Sequence, residues 1–117
     1  MSVSISCSPK SKDTWFLNNL AFAWFKGIIC VRHADDVEAL ELLEITHVTN
    51  GCYLDGMASE NLSGCATFID ILKIEAARIA SGEEPIPDRL RLEKADLRNH
   101  FSALVGLLDR FESRLPH

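Results

Sequence analysis

A chain of 117 residues and 13.0 kDa is the length of one domain, and folding would reduce its surface from about 19,000 Å² to about 6,300 Å², enough for a core without metal or disulfide staples. Leu, Ile, Val and Phe account for 35 residues, which excludes a disordered chain, while six glycines and four prolines exclude collagen-like and low-complexity classes. The formal net charge of −5 argues against a nucleic-acid binder or an anionic-membrane binder.

Residues 1–14 lack the apolar run of a signal peptide, and 1–12 read as a flexible N-terminal segment, leaving 13–117 as a single helical bundle domain. Asp13 or Thr14 can cap a first helix running to about Val31. Its apolar stretch, Trp15–Val31, would be about 26 Å long as a helix, short of a ~30 Å hydrocarbon core. Asn18, Asn19 and Lys26 interrupt it, so no membrane span is expected. This helix is apolar all round. Phe16, Leu17, Leu20, Trp24, Gly27, Ile28 and Val31 make a sufficient core face. Trp15, Phe22 and Ile29 recur at seven-residue steps in the sector that also holds Asn19 and Lys26. These five residues are the predicted interface of a homodimer.

Asp35 or Asp36 caps a second helix. The spacing favours one helix over 35–58, because Leu40, Leu42, Leu43, Tyr53, Leu54, Met57 and Ala58 keep one phase opposite Glu38, Glu41, Glu44 and Asp55. Asn50-Gly51 is also a β-hairpin signal, and helix against hairpin stays open for 50–58. A third helix runs from Asn61 to Ser81, with Gly82 just past its end. After a linker at 83–87, Pro87 suits the start of a fourth helix. Its seam, Leu90, Lys94, Leu97, Phe101, Leu104, Leu108, Phe111 and Leu115, steps by four and three, and Phe101 and Leu104 should be fully buried. Four helices with short connections predict an all-α, up-down-up-down four-helix bundle.

The chemistry is sparse. Glu44-Ile45-Thr46-His47 is the single Glu-x-x-His motif, where a di-iron bundle needs two. His47, Cys52, Cys65 and His100 match no zinc spacing, so neither metal nor cofactor is expected. His47 should be partly buried with a local hydrogen-bond partner. No nucleophile elbow or phosphate-binding glycine loop occurs, and the pairs Asp35-Asp36 and Glu83-Glu84 sit at helix starts, so no catalytic residue is assigned. Cys7, Cys30, Cys52 and Cys65 form no Cys-x-x-Cys pair and read as reduced thiols of a cytoplasmic protein. His33 to Leu72 holds eight acids and no Lys or Arg, whereas Lys73–Arg114 holds eight basic residues. The stripe Glu38, Glu41, Glu44 is therefore expected to meet the stripe Arg91, Lys94, Arg98, within a subunit or across a dimer. The reading is a small non-catalytic protein-interaction module of the adaptor, regulator or inhibitor type, homodimeric, with an unidentified protein partner. The alternative is a small-ligand or metal-binding bundle with His47, Asn50 and Tyr53 facing the ligand.

Overall fold

Ser2 to Cys7 alternate polar and apolar side chains, and such a period of two puts every second residue on one face of a strand. In the computed structural model, which describes residues 2–115, strand β1 (Ser2–Ser6) buries Val3 and Ile5 completely. It is the central strand of a three-stranded mixed sheet ordered β2-β1-β3. Strand β2 (Thr14–Asn18) runs antiparallel to it, with Val3 opposite Leu17 and Ile5 opposite Trp15. The short strand β3 (Gly51–Tyr53) runs parallel to it, with Ile5 opposite Cys52. Five helices pack with the sheet: α1 (Asn19–Arg32), α2 (Val37–Val48), α3 (Leu54–Glu60), α4 (Leu62–Ser81) and α5 (Lys94–Glu112).

The fold is therefore α/β, and the all-α four-helix bundle is corrected. Two local causes account for the change. Trp15, Phe16 and Leu17 alternate buried, exposed, buried, as β-forming side chains on a half-covered sheet do, so the first helix starts at Asn19 rather than at Asp13 or Thr14. Asn18 caps it, its Oδ1 accepting from the Ala21 N–H at 2.8 Å. Within the segment 1–12, expected to be flexible, Ser2–Ser6 form β1 at the centre of the sheet. Met1, Pro116 and His117, at the outer bounds of the expected ranges, lie outside the described residues.

Residues 50–58 are neither a continuing helix nor a hairpin with the preceding segment. α2 ends at Val48, Asn50 adopts a left-handed φ of 63°, and its carbonyl accepts from the Ser4 N–H at 3.1 Å. Gly51 lies so close to β1 that a Cβ there would stand 2.6 Å from Ser4 Oγ and 2.8 Å from Ser4 O. The Asn-Gly signal marks a real break, but the strand that follows pairs with the N-terminal strand.

The second half follows the sequence pattern more closely. Asn61 caps α4, its side chain accepting from Gly64 N–H at 3.0 Å, and Gly82 ends the helix at φ 89°. Pro87 leads into a 3₁₀ turn (Asp88–Leu90), and α5 begins only at Lys94. Leu97, Phe101, Leu104, Leu108 and Phe111 are all buried against the rest of the core. Phe101 is the hub: its ring centroid lies 4.8 Å from Phe25 and 5.6 Å from Trp15. The total accessible surface of the described chain, 6448 Å², matches expectation for its mass. Among the described residues no helix is long and apolar enough to cross a membrane.

Within the chain the charge stripes do not meet among the described residues. Glu44 pairs with Lys26 at 2.7 Å, Glu38 accepts from the Asn61 amide, and Lys94 pairs with Asp88 at 2.8 Å. α4, not α2, is the helix that packs along α5, and Lys73 on it bridges to Asp109 at 2.6 Å and Glu112 at 2.8 Å.

Candidate functional site

α1 determines the most distinctive surface of the molecule. Ala21, Phe22, Phe25 and Ile29 point inward and are buried. Phe22 and Phe25 meet edge-on at 6.3 Å. Lys26 leaves the helix sideways to reach Glu44. The outward face then consists of Leu20, Ala23, Trp24, Gly27, Ile28 and Val31, spaced i, i+3, i+4, i+7, i+8, i+11. No polar side chain interrupts it. Leu20 is 51% exposed and Val31 81%.

This face forms the floor of a shallow trough of about 460 Å³, with Arg32, Glu84 and Arg89 at its rim. The segment after α4 forms one wall of it through Glu84 and Arg89. It is anchored at the C-terminal end of α1, where Arg32 Nη2 donates to Glu84 Oε2 at 2.8 Å. It reaches the N-terminal end beside Phe16 and Asn18, where Leu92, Glu93, Asp96 and His100 line a second hollow of about 310 Å³. A ring nitrogen of His100 is hydrogen-bonded to the Phe16 carbonyl, and its own carbonyl accepts from Trp15 Nε1 at 2.7 Å. Burial holds the His100 imidazole below its ordinary pKa.

Beneath the trough's C-terminal end lies a buried carboxylate, Glu75 of α4. Arg32 Nη1 donates to Glu75 Oε1 at 2.7 Å, and His33 Nε2 lies 2.8 Å from Glu75 Oε2. Burial alone would raise the Glu75 carboxyl, but the hydrogen bonds from His33 and Arg32 outweigh it and hold the group below the ordinary glutamate value. The cluster ties the end of α1 to α4 and to the wall, and so fixes the trough's shape.

Gly27 sits mid-trough. A methyl group placed on it meets no neighbouring atom within 4 Å. Its φ is not left-handed, so neither the backbone nor any packing inside the chain calls for glycine. Glycine in a helix interior costs about 1 kcal/mol relative to alanine.

The residues singled out from sequence fall elsewhere. Trp15 is 4% exposed, Phe22 and Ile29 are buried in the core, and Asn19 and Lys26 are half-buried beside them. Of the face expected to be core, Phe16, Leu20, Gly27 and Val31 are exposed, Trp24 and Ile28 are half-buried against the core, and Leu17, in β2, is buried. Treating Trp15 as helical caused the error: it belongs to β2, so it does not share a helical stripe with Phe22 and Ile29. His47 packs its ring on Phe22 at 5.4 Å, with no side-chain hydrogen bond among the described residues. Asn50 serves the turn before β3, and Tyr53 is half-exposed. These three line neither the trough nor the hollow. Among the described residues no three His, Cys, Asp or Glu side chains come together as a metal site would require. Comparison with family models, curated protein sequences and solved structures finds no match for this chain.

Proposed function

We propose that the chain is a protein-interaction module whose working surface is the outward face of α1. The observation that carries this reading is the continuous apolar floor from Leu20 to Val31, with Gly27 at its middle. Leaving large apolar side chains in water forgoes roughly 1.5–3 kcal/mol for each that could be fully buried. Scattered exposed residues of this kind are ordinary, but a contiguous stripe at helical spacing is characteristic of surfaces that a second protein covers. The rim suits the same role, because it carries charged residues, Arg32 and Arg89 exposed among them, around an apolar floor, the usual anatomy of an interface. The Glu75 cluster would keep the surface preformed, which lowers the ordering cost of association.

The test is site-specific photo-crosslinking. A benzoylphenylalanine is placed at Val31, and in a separate variant at the exposed control position Glu60 on α3, in the full chain expressed in its native cell. Discrete protein adducts at Val31 that are absent at Glu60 are the expected result. No adduct at Val31, or the same adducts at both positions, would refute the reading.

A further inference from the structure

We draw no further inference here: the strongest candidate, the hollow between β2 and the start of α5 where Glu93 and Asp96 stand beside Phe16 and Leu92, is an apolar hollow whose charge is an acidic pair at a helix N-terminus, and nothing in the structure shows what covers it.

Discussion

Replacing Ile5 with alanine probes the N-terminal strand most directly. Ile5 is fully buried in the central strand, opposite Trp15 on one side and Cys52 on the other. The substitution removes three carbons from a closed environment, about 2.4 kcal/mol of transfer free energy at about 0.8 kcal/mol per carbon. The sheet is hydrogen-bonded on both sides of β1 and cannot collapse freely into the void, and residual cavity adds about 24 cal/mol per Å³. The expected loss is therefore about 2–5 kcal/mol, a large part of the ~5–15 kcal/mol that stabilises a domain. In urea, with a slope of about 1.5 kcal/mol/M, the midpoint should fall by about 1–3 M. Tryptophan fluorescence reports the transition well, because Trp15 stands across the strand from the site. Lys10→Ala, on the exposed β1–β2 connection, should stay within about 0.5 kcal/mol of wild type. An Ile5→Ala midpoint as close to wild type as that of Lys10→Ala would mean that the N-terminal strand is not part of the stable fold.

Two further outcomes are expected. Glu75 is held below its ordinary value in the folded state, so its contribution is complete above the unfolded value near 4.5 and is lost as pH falls through the folded one. Glu75→Gln should therefore show a shallower drop in melting temperature than wild type between about pH 5 and about pH 3, and parallel curves would count against the ion cluster. Of the four thiols, Cys30 is exposed, while burial raises Cys7 and pushes Cys52 and Cys65 up to about 11. Intact mass after brief alkylation at neutral pH should show one adduct on the native chain and four on the unfolded one; two or more on the native chain would contradict the packing around Cys52 and Cys65.

The C-terminal half was legible because its signals are local. Asn61, Gly82 and the four-three seam through Phe101 each act within a few residues of where they stand. The N-terminal half was legible only in part. The alternation of Ser2-Val3-Ser4-Ile5-Ser6-Cys7 is a clean period of two, but one strand means little until its partners are known. β1 pairs with one neighbour across a turn and with another nearly fifty residues away, and the second pairing leaves no local trace. Misplacing Trp15 on a helix then carried over to the surface, because it recruited Phe22 and Ile29 to an outward stripe. Once Trp15 is given to β2, a helix apolar all round still has to show one face to water, and Gly27 on that face was the available clue.

The parallel pairing of β1 with β3 also bears on how the chain reaches its structure. β1 and β2 can meet as soon as residue 18 exists, since only the short turn at 7–13 separates them. The Ser4–Gly51 pairing must instead close a loop holding β2, α1 and α2, and non-local closure of that kind slows folding more than it lowers stability. During synthesis, one edge of β1 stays open until residues 51–53 have left the ribosome. For that interval the nascent chain displays a strand carrying Val3 and Ile5 with an unpaired edge, the kind of template that recruits other chains. The serines at positions 2, 4 and 6, which alternate with those apolar residues, keep the strand's other face polar during the wait.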